Sequence, residues 1–424
     1  MSISLVLSIL VIISTFLLLY FGAIHHSRTT VKNEIAYYNA SLNANSGMNF
    51  AKNLTPLKVL KDQHILNYGN LKATVKRYKI GFSEHVSSVG EYQGTRVERH
   101  SVFLVHYPLF KDVALMTRGK SFFNPIYITG NTSINGNVYT GRYGVSKQSM
   151  KDIYYKKKRL VEGTVYKHDK SRVPEVDDTA LTLILKEKET TFNPEIKNQT
   201  LYLNFQTVKW ESIKDYKISS IVGPGTLLLH QIPTYITHFK NVNVLIDQSV
   251  TLTQKEQFTQ CMIYSKSTIL INTELTENQF ISESKIELGN VAQLLGTNLI
   301  LVKGKQIHFM ERIPRIVFSP SSQYSGDLVY ISPKGYDYRE QLKTFDLPKT
   351  IRLNGLIYSP FGVPSEIKLD GTLLFNYTQV KYRGTTYQNY IKDLNVTAQT
   401  DLQSYFLFNE EGVRYERSSQ EIFR

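Results

Sequence analysis

The sequence predicts a mainly β protein in which an N-terminal transmembrane helix extends into a long helix and is followed by a β-solenoid or β-helix-like body. Three observations support this. The first 27 residues contain no Lys, Arg, Asp or Glu. Apolar residues then recur at helical spacing, and short strand-like segments with glycine-containing repeats follow Pro56. We expect an anchor at 1–27, a helical extension at 28–55, a β-rich subdomain at 56–120 and a solenoid-like body at 121–424.

The apolar run from Ile3 to Ile24 is long enough to span a bilayer, which requires about 20 such residues. A cleavable signal peptide has a basic n-region and a small-residue cleavage site. Here only Met1-Ser2 precede the run and no Ala-x-Ala follows it closely, so we expect an uncleaved single-pass anchor in membrane lipid. The predicted anchor residues are Ile3, Leu5, Leu10, Ile13, Phe16, Leu19 and Ile24.

The charges beside the span and the number of cysteines bear on where the body lies. Arg28 and Lys32 follow the span, and the positive-inside rule alone would keep the body in the cytoplasm, but large domains translocate largely regardless of flanking charge. The single cysteine, Cys261, permits no intramolecular disulfide, whereas secreted animal proteins of this size usually carry several. We expect a bacterial membrane protein with its body in the periplasm or at the cell surface, and Cys261 as a buried structural thiol.

The helical pattern continues beyond the membrane. Four apolar residues at spacings of four, three and four positions define one helical face: Val31, Ile35, Tyr38 and Leu42. Pro56 should end the element. A helix from Leu5 to about Ala51 would be roughly 70 Å long at 1.5 Å per residue. We expect the four apolar residues to pack beside helices of other subunits.

The body contains a degenerate repeat of the form apolar-x-Gly-x-apolar-aromatic. ITGNTS at 128–133 is followed by INGNVY at 134–139, and the form returns as VEGTVY at 161–166 and LNGLIY at 353–358. A solenoid needs tight corners at which glycine adopts positive φ. The predicted corners are Gly130, Gly136, Gly163 and Gly355. An antiparallel sandwich with glycine turns remains an alternative, and short helical turns are expected near Glu274–Phe280 and Gln293–Leu295.

The sequence offers little support for catalysis. The adjacent acidic pairs, Asp177-Asp178 and Glu410-Glu411, lie in hydrophilic segments typical of polar loops. His25-His26 sit at the expected membrane edge, and no HxxxH, GxSxG or GxxxxGK[ST] string occurs. We therefore predict no enzyme, no cofactor, no metal site and no small-molecule substrate. A carbohydrate-active β-helix enzyme remains an alternative that would need two carboxylates at catalytic separation.

The formal charge of +14 and the 28 tyrosines suit contact with polyanions. The densest cationic run is Lys156, Lys157, Lys158 and Arg159, which follows two tyrosines. Cations beside aromatic rings can contact phosphates while the rings stack on bases. The run is either a solvated loop or a contact for DNA or an acidic glycan, so an anchored binding module or adhesin is an alternative function.

Three segments carry a resemblance to a family: Ile126 to Val176, CMIYSKSTILI at 261–271 and GTTYQNYIKDLNV at 384–396. They resemble an uncharacterised family of anchored envelope proteins from Gram-negative bacteria. In layout these are similar to the larger minor pilins and pseudopilins of type IV pili, type II secretion and DNA-uptake machines, whose helical SG-x-x-x-A stretch matches Ser46, Gly47 and Ala51. A prepilin's basic leader ending in Gly and its early Glu have no counterpart here. The resemblance implies a non-enzymatic structural component that assembles with other envelope or pilin-like subunits through its first helix.

Overall fold

The prediction of a mainly β chain behind a long N-terminal apolar helix is confirmed, with 50% of the described residues in strands and 17% in helices. The computed structural model describes residues 3–117, 125–167, 173–190, 195–304, 314–331, 344–349, 351–359, 366–376, 378–400, 402–405, 407–408 and 416–422.

A single helix, α1 (Ile3–Asn53), covers both the predicted anchor and the predicted extension in 51 residues. It ends three residues before Pro56, whose ring prevents the helix from continuing. Among the described residues it is the one helix long and apolar enough to cross a membrane, and its most apolar window is not buried against the rest of the chain. Such a helix fits a single-pass membrane anchor or a signal sequence.

An antiparallel sheet follows the helix. Its strands alternate between two faces because successive side chains of a strand point in opposite directions. Residues from β2 and β3 such as Ala73, Val75 and Val86 cluster with the helix residue Ala51. The sheet consists of β1 (Lys61–Tyr68), β2 (Leu71–Ile80), β3 (Ser83–Tyr92) and β4 (Thr95–His106), paired in that order.

The chain then enters a larger region of mostly parallel strands. A short 3₁₀ turn (Pro108–Phe110) leads into it. The first strands of this region are β5 (Val113–Thr117), β6 (Ile126–Thr129), β7 (Ser133–Asn135), β8 (Asn137–Thr140), β9 (Val145–Lys147) and β10 (Val165–Lys167). Parallel pairs join β5 to β8, β8 to β10 and β6 to β9.

A connecting segment follows, with a short helix and three short strands. It contains α2 (Thr179–Leu185), β11 (Glu195–Lys197), β12 (Thr200–Tyr202), β13 (Thr207–Lys209) and a 3₁₀ turn (Trp210–Ser212). Both β12 and β13 pair in parallel with the next strand, β14 (Ser220–Leu229). A second series of parallel pairs therefore begins at β12, and β12 does not pair with β10.

From β14 onward the strands form two ladders, and within each ladder the strands follow chain order and pair in parallel. The long ladder uses β15 (His238–Ile246), β17 (Gln257–Thr259), β18 (Met262–Ser265), β20 (Glu274–Thr276), β21 (Gln279–Ser282), β23 (Gln293–Lys303), β25 (Gln323–Ile331), β27 (Arg352–Ser359) and β28 (Lys368–Phe375). Between them lies a second parallel ladder of β16 (Val250–Leu252), β19 (Thr268–Ile271), β22 (Lys285–Leu288), β24 (Arg315–Phe318) and β26 (Phe345–Asp346). These pairings are opposite to those that the antiparallel sandwich requires.

Several of the remaining strands pair with the early strands of the chain. The full set is β29 (Gln379–Tyr382), β30 (Thr385–Gln388), β31 (Tyr390–Lys392), β32 (Asn395–Thr397), β33 (Gln403–Ser404) and β34 (Glu416–Ile422). The first two form an antiparallel hairpin. β28 pairs with β5, β31 with β6 and β32 with β7, all in parallel. The early strands 113–167 therefore stack on the last ones, and the parallel order runs from β12 through β28 to β10; we call this ordered set the stack.

Register within the stack builds continuous rows of apolar side chains. One row consists of Leu227, Val244, Ile263, Phe280, Ile300, Leu328, Ile357, Leu373, Leu115 and Val138. Each of these residues is at most 1% exposed and belongs to the main core cluster. A neighbouring row, which includes Tyr264, Leu301 and Leu374, forms a second cluster with Tyr78 and Ile80 of β2. The antiparallel sheet thus lies between the helix and the stack.

One expectation is wrong, and another, the division at residue 120, stays a prediction. The short helical turns expected near Glu274–Phe280 and Gln293–Leu295 are wrong, because these segments form β20, β21 and the start of β23. Parallel ladders on both sides supply their backbone hydrogen bonds and override local preference. The proposed division at residue 120 is crossed twice: β5 pairs with the stack, and β33 and β34 pair with β4.

Candidate functional site: the helix surface and a charged cleft

One face of the second half of α1 packs on the antiparallel sheet. The buried residues of this face are small and recur at spacings of four, four, three and four positions: Ala36, Ala40, Ala44, Gly47 and Ala51. The spacing places them on one helical face. We call this set the small-residue stripe. Sequence reasoning assigned the helical face to large apolar residues and missed the stripe, although the SG-x-x-x-A match contains two of its members.

Glycines allow the helix and sheet backbones to approach closely. A Cβ on Gly90 of β3 would lie 2.1 Å from the carbonyl oxygen of Ala40 and 2.3 Å from the amide nitrogen of Ala44. A Cβ on Gly47 would instead lie nearest the Ser88 hydroxyl, at 2.1 Å, with Val75 Cγ2 at 3.0 Å and Ala73 Cβ at 3.3 Å. The first obstacle is helix backbone and cannot move aside, whereas the second is a rotatable side chain. Gly90 is therefore the stricter requirement.

Polar contacts fix the position of the helix along the sheet. The Asn43 side-chain amide donates to the carbonyl oxygens of Asn70 at 3.1 Å and Glu91 at 2.8 Å. Arg99 of β4 donates to the Ser41 hydroxyl at 3.1 Å. These bonds connect the helix to the turn between β1 and β2, to the end of β3 and to β4.

A buried ion pair holds the end of the helix. Arg77 and Glu84 form a salt bridge at 3.0 Å, and their side chains are 3% and 1% exposed. Arg77 also donates to the Thr55 carbonyl at 2.6 Å, and Glu84 accepts from the Leu57 amide. The pair therefore ties the segment after α1 to β2 and β3.

The opposite face of the helix is exposed. The four predicted packing residues are 49% (Val31), 52% (Ile35), 64% (Tyr38) and 44% (Leu42) exposed. Farther towards the N-terminus, Leu10, Ile13, Phe16 and Leu19 are also exposed, and Ile24 is half-buried. Ile3 and Leu5 lie in the first turns of the same helix. A large apolar surface thus runs along the helix from the anchor to Leu42, which is typical of an interaction surface.

The sheet and the stack are joined by side-chain amides. Asn243 accepts a hydrogen bond from the Gly81 amide at 3.0 Å and donates to the Lys79 carbonyl at 3.1 Å. Gln279 accepts from the Phe82 amide at 2.6 Å and donates to the Ile80 carbonyl at 2.7 Å. Since these groups are buried and paired, the turn between β2 and β3 is fixed on the stack.

The predicted corner glycines occupy several positions. Gly130 follows β6 in a turn with φ of 66°, and Gly136 lies between β7 and β8 with φ of 132°. Gly163 stacks on Gly136, because its Cβ would lie 2.2 Å from the Gly136 carbonyl oxygen. Gly355 lies inside β27 and has a φ of 141°. The corner role of these glycines stays a prediction.

The groups with potential chemistry are engaged in the fold. Cys261 is fully buried, and burial raises the pKa of its thiol to about 12. Asp177 accepts from the Thr179 amide at 2.9 Å, and Asp178 pairs with Lys303. His25 and His26 are exposed on the helix, and Glu410-Glu411 lie outside the described residues. Within the described ranges no group of three His, Cys, Asp or Glu residues could hold a metal ion.

The cationic run Lys156 to Arg159 is an exposed irregular segment. Of its four residues, Lys156 lines an open cleft of about 690 Å³. Other walls come from the turn after β6, the start of β28, the hairpin residue Tyr382, and the residues between β31 and β32. The lining residues are Gly130, Asn131, Asp152, Ile153, Tyr154, Lys156, Lys349, Glu366, Ile367, Lys368, Tyr382, Lys392, Asp393 and Asn395.

The carboxylates of this cleft are paired with cations. Glu366 forms salt bridges with Lys349 at 2.8 Å and Lys392 at 2.6 Å, and both contacts lower its pKa. Asp393 contacts Lys392 at 3.0 Å and accepts from the Asn131 amide at 2.7 Å. Burial alone would raise the pKa of Asp393, but these two contacts outweigh it and lower the pKa.

No protein-family model and no curated protein matches the chain. Among solved structures, the competence-associated pilin ComZ from Thermus thermophilus matches at 10% identity with a TM-score of 0.23, over 91% of this chain and 98% of that chain. Because a TM-score this low does not establish a shared fold, we base the proposed function on contacts within this chain.

Proposed function

We propose that this protein is a non-enzymatic, membrane-anchored structural subunit of a bacterial envelope assembly, with a role like that of a minor pilin or pseudopilin. The assembly would be a type IV pilus, a type II secretion system or a DNA-uptake machine. The body would lie in the periplasm or at the cell surface, and α1 would bind membrane lipid and neighbouring subunits.

The observation that supports this proposal is the division of α1 into two faces. From Ala36 onward, the small-residue stripe attaches the helix to its own sheet, while the large apolar residues face away. A soluble protein seldom leaves such a surface bare. An amphipathic helix typically binds a partner helix through apolar residues at this spacing. Here the exposed face is continuous with the apolar anchor, so partner helices could pack along it from the membrane outward.

We further propose that the stack is a β-solenoid-like rigid body. The parallel registers support this proposal, because each row residue contacts the equivalent residue of the preceding strand. The half-buried Gly326 and the buried Gly355 and Gly371 also succeed one another: a Cβ on Gly355 would meet Gly326, and one on Gly371 would meet Gly355. A body of this kind would have a structural role, since it presents a large, rigid surface.

The test is co-purification of the full-length chain from membranes with its partner subunits. Ile35→Asp combined with Leu42→Asp places two charges on the exposed apolar face and should abolish co-purification. Thr29→Asp combined with Asn33→Asp adds the same charge at exposed polar positions on the side of the helix away from the apolar face and should have little effect. Unchanged co-purification of the first variant, or equal loss in both, would contradict the proposal.

A second candidate function is polyanion binding through Lys156, Lys157, Lys158 and Arg159. Their common exposure favours it. Contacts to phosphates or other repeated anions release counterions, so affinity should fall steeply with salt. Binding of DNA that does not change with salt, or absence of binding at low salt, would exclude it.

A further inference from the structure

The charged cleft lies along the stack rather than across it. Register places Arg352, three residues after the lining residue Lys349, beside Lys368. Lys368 lies beside Asn395, and Asn395 lies beside Ser133, two residues after the lining residue Asn131. The Lys156 amide donates to the Gly130 carbonyl at 3.1 Å, which adds one further layer. Neighbouring strands are about 4.8 Å apart, so these five layers extend over roughly 19 Å. A groove of this shape suits an extended, repetitive ligand.

The cleft contains carboxylates held in salt bridges and two lysines that form none to the described carboxylates, although Lys156 is close enough to Asp393 to help lower its pKa. Glu366 and Asp393 are bound by lysines, and Asp152 is bound by Arg383 at 3.1 Å and by the Tyr382 hydroxyl at 3.2 Å. Among the described residues, by contrast, Lys156 and Lys368 form no salt bridge with a carboxylate. The charge that the cleft offers to a ligand is therefore positive at these two lysines, which lie near its opposite ends.

Hydrogen-bonding groups and an aromatic ring lie between and beside these lysines. The carboxylates of Glu366 and Asp393 can accept hydrogen bonds from hydroxyls, and the amides of Asn131 and Asn395 can both donate and accept. Tyr154 is 64% exposed at the cleft wall, so its ring is free to lie against an apolar ring face. The hairpin that supplies Tyr382 is held by a cluster that includes Met150, Val380 and Tyr390.

We propose that this cleft binds an acidic polysaccharide in which charged sugars are separated by neutral ones. The sugar carboxylates would pair with Lys156 and Lys368, and hydroxyls of the intervening sugars would donate to Glu366 and Asp393. A nucleic acid fits less well, because a phosphate on every nucleotide would bring negative charge against these two carboxylates. The proposal does not depend on the assembly role of α1, and it uses one residue of the cationic run.

The test measures binding of the full-length chain, in detergent micelles, to three hexamers at low ionic strength. The first is a hyaluronan hexasaccharide, in which every second sugar carries a carboxylate. The second is the uncharged N-acetylglucosamine hexamer, and the third is hexathymidylate. We expect the hyaluronan hexamer to bind more tightly than both others. Tighter binding of hexathymidylate, equal binding of the neutral hexamer, or no hyaluronan binding would overturn the proposal.

Matched variants separate the cleft from general electrostatic attraction. Lys156→Ala with Lys368→Ala should weaken hyaluronan binding by about tenfold or more, the effect of losing charge-assisted contacts. Lys157→Ala with Lys158→Ala removes the same charge outside the cleft and should change the affinity by less than about twofold. Equal weakening in both pairs would overturn the proposal that the cleft is the binding site and would instead support binding through the cationic run. All four side chains are solvent-accessible, so an unchanged melting temperature would show that folding is intact.

Discussion

The helix–sheet contact and the interior of the stack are both tightly packed, but they are built from opposite materials. The helix contacts the sheet through alanine and glycine, so the two backbones lie close together and leave no space for a larger side chain. The interior of the stack is filled by rows of Leu, Ile, Val and Phe, so its stability depends on these large side chains filling the space. The two regions should therefore fail in opposite ways: the contact when a side chain is enlarged, and the stack when one is truncated.

The largest expected effect is a truncation in the stack. Phe280 is fully buried between Ile263 and Ile300 in the apolar row. Phe280→Ala should lower the free energy of unfolding by about 4 kcal/mol, because transfer energy is lost and a cavity remains. The denaturant midpoint of the full-length chain measures this change. A loss below about 1 kcal/mol would mean that the row relaxes to fill the space.

Breaking the ion pair beside the helix end should have the next largest effect. Arg77→Met removes the guanidinium that forms a salt bridge with the buried Glu84 carboxylate, at a cost of about 3 kcal/mol. Adding Glu84→Gln also removes the buried negative charge, so the double variant should be more stable than Arg77→Met alone. Equal stability of the single and double variants would show that the carboxylate is not the source of the cost.

Enlargement at the helix–sheet contact gives a smaller and asymmetric effect. Gly90→Ala drives a methyl group into the backbone of α1 and should cost about 2 kcal/mol. Gly47→Ala meets a rotatable hydroxyl and gains helix propensity, so its net effect should stay within about 1 kcal/mol. Hydrogen exchange of the amides at 40–51 tests the contact directly. Faster exchange in both variants alike would contradict the distinction between the two glycines.

The sequence predicts local structure here far better than long-range order. The helix expected from Leu5 to about Ala51 is observed from Ile3 to Asn53, because apolar spacing and Pro56 are local signals. By contrast, the pairing of β5 with β28 joins residues more than two hundred positions apart. No local pattern encodes that register, and the return of β33 and β34 to β4 is equally remote.

Helix-face assignment shows the same limit at the candidate surface. Val31, Ile35, Tyr38 and Leu42 were identifiable from hydrophobic spacing, whereas the small-residue stripe gives no hydrophobic signal. Its function depends on Gly90, which lies in a different element and whose importance follows only from the packed structure. The cleft is likewise assembled from six separate segments, of which sequence reasoning identified Lys156 through its cationic run and Gly130 as a predicted corner.

A pH effect sharpens the comparison, because it concerns a charge inside the stack. Asp327 is buried, and burial raises its pKa to about 6 although the Ser404 hydroxyl donates to it at 2.7 Å. The unfolded value is about 3.9, so between these two values the folded chain binds more protons. The stability contributed by protonated Asp327 is therefore present at low pH and lost as the pH rises towards 6.

Asp327→Asn should remove this pH dependence and add a pH-independent loss of stability, because the backbone amides of Leu356 and Tyr405 also donate to the Asp327 carboxylate. From pH 7 to pH 5, Asp327 should contribute a gain of about 1 kcal/mol that Asp327→Asn lacks. The measurement is the difference in unfolding free energy between the variant and the parent chain at the two pH values, so that all other titrating groups cancel. Asp370→Asn, at a more exposed position of β28 paired with Arg352, serves as the control. Parallel curves for Asp327→Asn and the parent chain would show that the carboxyl is already hydrated in the folded state.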